Sequence, residues 1–146
     1  MLFGKRERQI RRILIVEDEP LVAFDNEHML AERGYEIVAT VDNFAAAKAA
    51  IEEEEIDLVL TDIELTGEGD GLDVARAAAA KGVAVLFVTG KCVQATPDLA
   101  LGCLAKPYGE RVLVSALEAL DTFVQGGKMK KLPAQLTLFP RAASAA

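Results

Sequence analysis

The chain alternates short, continuously apolar runs with longer stretches whose apolar residues recur at helical spacing. Residues Arg12 to Val16 form a β-branched apolar run that stops at acids, the pattern of a strand buried on both faces. Pro20 suits the first turn of a helix, which reads from Leu21 to Arg33 and ends at Gly34. Glu36 to Val41 predicts a second strand. Asp42 or Asn43 can cap a helix reaching about Glu54, with Ile51 turned inward. Leu58 to Asp62 is a third apolar strand that again ends on an acid. A loop holding Gly67, Gly69 and Gly71 leads to an Ala-rich helix from about Leu72 to Ala80, closed by Lys81-Gly82. Val83 to Val88 predicts the fourth strand, ending at Thr89-Gly90, and Leu101 to Ala105 the fifth, before Lys106-Pro107. A last helix from Glu110 to Val124 carries Leu113, Leu117, Leu120 and Val124 along one stripe and stops at Gly126-Gly127. The remaining residues to Ala146 show no period.

Strands that alternate with helices and are apolar throughout imply one α/β domain, a five-stranded parallel sheet doubly wound with helices on both faces. Between Thr89 and Lys106 there is little room. Thr96 can cap a helix with Pro97 at its first position, but only one or two turns fit before Gly102, so the fourth helix is expected to be abbreviated. The expected organisation is a basic extension over 1–11, the domain over 12–125 and a tail over 126–146.

Composition narrows the classes. At 146 residues the chain is long enough for one domain with a real core, and 51% hydrophobic content sets it apart from disordered chains. No apolar run approaches the roughly 20 residues of a membrane span, and the polar start lacks a secretory core, so a cytoplasmic protein is expected. Cys92 and Cys103 have no close metal-ligand spacing and are expected to be reduced thiols. Residues 13–127 hold 22 of the 23 acids and 7 of the 16 bases, a local balance of −15, while the two ends carry +8. Such an acidic body repels nucleic-acid phosphates, and the basic ends read as solvated tails.

The chemistry sits where the strands end. The first strand delivers Glu17 and Asp18, the third Asp62, the fourth Thr89 and the fifth Lys106, and open α/β sheets bind ligands at this edge. Carboxylates drawn together repel unless a cation sits among them, and a hard divalent ion with oxygen ligands, Mg²⁺, answers that need. One carboxylate is then free to attack phosphorus, with Lys106 for the phosphoryl oxygens and Thr89 as a hydroxyl donor.

Taken together, Glu17-Asp18, the strand-ending Asp62, Asp70-Gly71-Leu72, Thr89-Gly90 and Lys106-Pro107 resemble the receiver domain of two-component response regulators, over about residues 12 to 125. The resemblance implies a flavodoxin-like (βα)5 fold with Mg²⁺ held by Asp18, Asp62 and the backbone carbonyl of Glu64, and by Glu17 through water. It implies a phosphoryl group accepted on Asp62 from a histidine kinase or a histidine phosphotransfer protein, a monomer or a phosphorylation-dependent homodimer, and a cis bond at Lys106-Pro107. Thr66 stands where many receivers carry proline, and the glycines after it suggest a loose loop. Cys103 stands at the family's switch aromatic, so activation is expected to reorder the backbone of residues 90–101 instead. With little chain beyond the domain for an output module of about 60 residues or more, a stand-alone signalling receiver and not an enzyme is expected.

Two other readings compete. Asp62-Ile-Glu64 faintly resembles the nucleophile motif of haloacid-dehalogenase phosphatases, although Glu64 replaces their second aspartate and no cap insertion exists. A pseudo-receiver used only as a scaffold is the other. His28, near Phe24 and Leu21 on the first helix, is expected to be a half-buried structural histidine.

Overall fold

The computed structural model describes residues 8–90, 92, 99–127 and 131–139. Within them the apolar runs become strands β1 (Arg12–Val16), β2 (Glu36–Val41), β3 (Leu58–Thr61), β4 (Ala84–Thr89) and β5 (Gly102–Ala105). The helical stretches become α1 (Pro20–Glu32), α2 (Phe44–Glu53), α3 (Gly71–Ala80) and α4 (Glu110–Val124). The sheet runs β2-β1-β3-β4-β5-β6, where β6 (Leu136–Leu138) is a strand that the pattern of the tail does not announce. Strands β1 to β5 are parallel, and β6 adds antiparallel to β5.

Side chains alternate across each strand and so feed two separate cores. Ile13, Ile15, Leu58, Leu60 and Leu86 face the layer of α1 and α4, where Leu30, Leu113 and Leu117 are fully buried. Leu14, Val16, Val59, Val85 and Phe87 face α2 and α3, against Ala47, Ile51, Val74 and Ala78. The small alanines let α2 and α3 approach the sheet closely. The helix starts follow local chemistry. Asn43 Oδ1 accepts the Ala46 N–H at 2.9 Å, and Asp70 and Asp73 cap α3 reciprocally. Gly34, at φ 91°, takes the left-handed conformation that ends α1.

The tail is built into the fold. Phe139 donates its N–H to the Leu101 carbonyl at 2.8 Å and buries its ring in the α2–α3 core beside Ala100 and Cys103. Gly102 makes this possible, since a Cβ there would lie 2.4 Å from the Thr137 carbonyl oxygen. β6 was invisible in the sequence because three residues are too few to show a period.

Two expectations are corrected. Cys92 and Cys103 are joined in a disulfide with Cα atoms 5.9 Å apart, not held as free thiols. Their separation of 11 residues hides the proximity, which arises because the chain leaves β4 and returns along its neighbour β5. His28 is exposed, not half-buried: it stacks on the equally outward Phe24 and lies 3.5 Å from Glu32. The expected short fourth helix, with residues 91 and 93–98, lies outside the described residues. Among the described residues no helix is long and apolar enough to cross a membrane.

If β6 is held by the Phe139 anchor, Phe139→Ala should lower unfolding stability by about 3 kcal/mol or more, as for other buried aromatics. Chemical denaturation measures this, and a loss under about 1 kcal/mol would show that the tail contributes little in solution.

Candidate functional site

The sheet register decides where the polar residues go. Val16 pairs with Thr61, and Thr61 with Phe87, so the carboxyl ends of β1, β3 and β4 lie side by side. The ladder then continues one step beyond the strands. Glu17 N–H donates to the Val41 carbonyl at 2.9 Å, Asp62 N–H to Val16 at 3.0 Å, and Lys106 N–H to Thr89 at 2.8 Å. Each of these residues therefore starts from a main chain fixed by the sheet.

Glu17, Asp18 and Asp62 each offer a carboxylate oxygen within 4.8 Å of the others. Glu17 and Asp62 are buried and Asp18 is half-buried. The Lys106 ammonium sits among them, 2.8 Å from Asp62 Oδ2, 3.0 Å from Glu17 Oε1 and 3.3 Å from Glu19 Oε1. Burial alone would depress the Lys106 pKa, but the bonded carboxylates of Asp62 and Glu17 outweigh it and hold the ammonium well above the usual lysine range. Burial pushes Glu17 up, against the Lys106 contact and the N–H that Glu19 donates to Glu17 Oε2. Within the cluster of Glu17, Asp18 and Asp62 the one ammonium leaves a balance of −2, and the exposed Glu19 adds a further negative charge at its rim. A hard divalent cation matches both that charge and the all-oxygen donor set, so the residues present fit Mg²⁺.

The loop after β3 is anchored, contrary to the looseness that its glycines suggest. Thr66 Oγ1 donates to Asp18 Oδ2 at 2.8 Å, and the Glu64 N–H donates to Asp62 Oδ1 at 3.1 Å. Gly71 brings the start of α3 against Asp62: its N–H donates to the Ile63 carbonyl at 2.7 Å, and a Cβ would lie 2.0 Å from the Asp62 carbonyl oxygen. Thr89 is buried at the end of β4, and the Lys106-Pro107 bond is cis.

Three participants escape the sequence reading. Glu19 is a third acceptor for Lys106, and only its place after the acidic pair hints at this. Thr66 is a partner of Asp18 across a loop. Asn26 is buried on α1, where its Nδ2 donates to the Tyr108 hydroxyl at 3.0 Å and ties α1 to the segment after Lys106-Pro107. A polar residue on the inward face shared by Ala23 and Leu30 is the signal that marks Asn26.

This arrangement has counterparts. The model of the response regulator receiver domain family matches residues 13–118. The transcriptional regulatory protein PdtaR of Mycobacterium tuberculosis is 35% identical over 114 residues, covering 74% of this chain and 55% of that protein. The chain thus spans about half the length of this curated relative. A CheY-like response regulator receiver domain protein from Methanospirillum hungatei is 27% identical, with a TM-score of 0.69 over 81% of this chain and 99% of that one. The receiver domain of a sensor histidine kinase from Pseudomonas aeruginosa, 26% identical, has a TM-score of 0.64 over 75% of this chain and 95% of that one. It holds a magnesium ion coordinated in its active-site cleft. The family match begins in β1 and runs through every strand that contributes to the acidic cluster, so the chain belongs to the response regulator receiver domain family.

Proposed function

We propose that this chain is a phosphoacceptor: Asp62 takes a phosphoryl group from a phosphohistidine of a histidine kinase or histidine phosphotransfer protein, in the cytoplasm, and signals through protein contact. The observation that carries this reading is the position of the Asp62 carboxylate, buried at the strand end with a lysine ammonium 2.8 Å away and two further carboxylates beside it. In the transfer, an Asp62 carboxylate oxygen forms the new bond to phosphorus while the bond from phosphorus to the donor imidazole nitrogen breaks. The nitrogen keeps the electron pair. Lys106 is already held 2.8 Å from Asp62 Oδ2, so its charge would need little movement to meet the oxygens of a phosphoryl group carried on that carboxylate. Thr89 would offer its hydroxyl from the neighbouring strand. Asp18 and Asp62 directly, Glu17 through water and the Glu64 carbonyl would hold Mg²⁺, whose chemistry here is to neutralise charge on the phosphoryl group.

The surface beside the site suits a helical donor. On α1, Leu21 is 79% exposed and Phe24 66% exposed, both unusual for large apolar side chains. Next to them a groove of about 600 Å³ runs between α1 and the segment Lys106 to Glu110, past Asn26 and Tyr108. A donor helix seated there would bring its histidine to the site rim. Membership in the receiver family leaves the phosphatase reading without support, and the pseudo-receiver reading stands or falls on the labelling below.

Incubation with phosphoramidate and Mg²⁺ should add the roughly 80 Da of one phosphoryl group to the intact mass, and Asp62→Asn should abolish it. A hydroxylamine-labile adduct that persists in that variant would move the acceptor elsewhere. Asp18→Ala should weaken Mg²⁺ binding at least tenfold by calorimetric titration, and unchanged affinity would remove Asp18 from the ligand set. Leu21→Ala with Phe24→Ala should slow transfer from a partner kinase about tenfold, as loss of an apolar anchor does, while phosphoramidate labelling stays unchanged. Equal slowing of both would place the defect in the site and not in docking.

A further inference from the structure

We propose that Cys92 and Cys103 form a thiol–disulfide exchange site that couples the redox state of an external dithiol to the stiffness of the phosphoacceptor site. Its signalling consequence rests on the phosphoacceptor reading; the exchange chemistry does not. Cys103 lies in the middle of β5 with no exposed surface, flanked by Phe87 on β4 and Thr137 on β6. Cys92 is half-buried and packs into the same core as Ala100 and Phe139.

In chain terms, Cys92 follows Thr89 by three residues and Cys103 precedes Lys106 by three. The bridge therefore joins the exit of one site-bearing strand to the body of the other. Across those strands the non-covalent link nearest the site is the Lys106 N–H donating to the Thr89 carbonyl at 2.8 Å, just past the Thr89–Ala105 pair. With the disulfide closed, the chain beyond Thr89 is pinned to β5, and Thr89 and Lys106 are held from both sides. With it open, the exit of β4 is held by main-chain pairing and packing alone. Motion of Thr89 relative to Lys106 then becomes easier, because strand ends with fewer constraints open at lower free energy.

The exchange balances with a dithiol as co-reactant. Cys103 is sealed, so an external thiolate reaches the bond from the Cys92 side and forms a mixed disulfide with Cys92, releasing Cys103 as a thiolate that takes up a proton. The second thiol of the reagent then attacks the mixed disulfide and frees Cys92. Two electrons and two protons pass to the protein, and the dithiol leaves as its cyclic disulfide. An oxidised dithiol drives the reverse.

The test uses the full chain and dithiothreitol as the probe. Under non-reducing conditions the protein should take up no iodoacetamide. After dithiothreitol and mild unfolding it should take up two, and oxidised dithiothreitol should restore the blocked state. Hydrogen exchange at the Lys106 amide should speed about tenfold on reduction, and Cys92→Ser should show the fast rate with or without dithiothreitol. Two reactive thiols that no oxidised dithiol can close would overturn the exchange site. Equal Lys106 exchange in both states, with labelling confirming the redox change, would overturn the coupling. Phosphoramidate labelling in the two redox states separates the readings: its absence in both would sink the phosphoacceptor assignment alone, since thiol labelling and amide exchange need no phosphoryl group.

Discussion

Negative charge crowded at one sheet edge is the constraint on which the rest of the structure turns. Carboxylates about 4 to 5 Å apart near a protein surface repel by roughly 3 to 4 kcal/mol per pair, so three of them converge only where positive charge and a rigid main chain hold them. Lys106 supplies the charge, contacting Asp62, Glu17 and Glu19 at once. The parallel sheet supplies the rigidity, because Glu17, Asp62 and Lys106 each have a main-chain N–H bonded to the neighbouring strand. Apolar strands buried on both faces are what hold this edge still: Leu14, Val59, Val85 and Phe87 on one side, Ile13, Leu60 and Leu86 on the other.

The surroundings of Asp62 show how closely the backbone is drawn in. Gly71 begins α3 where no side chain fits, because the Asp62 carbonyl oxygen occupies the volume of a Cβ. The dipole of α3 and its reciprocal Asp70–Asp73 cap therefore begin immediately behind Asp62. Thr66 closes the loop from the opposite side by bonding Asp18. In what reads as a loose run of glycines, Gly69 and Gly71 lie at close approaches to Phe44 and to the Asp62 main chain, while Gly67 takes a positive φ of 87° in open space.

How much of this was legible depends on the range over which each feature is encoded. β1, β2 and α4 could be read to the residue, since their signals are local: apolar runs ended by acids, and an apolar stripe of period 3.6 ended by glycine. Glu17, Asp18, Asp62 and Lys106 were legible because a parallel sheet delivers successive strand ends to one edge. Most of the misses are contacts across the chain that no local pattern carries. Glu19 reaches Lys106 over 87 residues and Asn26 reaches Tyr108 over 82. The Cys92–Cys103 pairing depends on β4 and β5 being neighbours, and β6 depends on a partner edge shaped by Gly102. His28 was misjudged because its face of α1 carries Phe24 and Leu21, which look like core residues and instead point outward.

The sixth strand also bears on where this protein can be cut. A fragment ended at Gly127, where the helical pattern stops, would discard β6 and with it the Phe139 ring that fills the space beside Cys103. β5 would then present unpaired N–H and C=O groups along a hydrophobic edge, the template on which sheets of separate molecules join. Association of such a trimmed fragment would report on its own exposed edge, whereas a boundary placed after Phe139 keeps that edge covered.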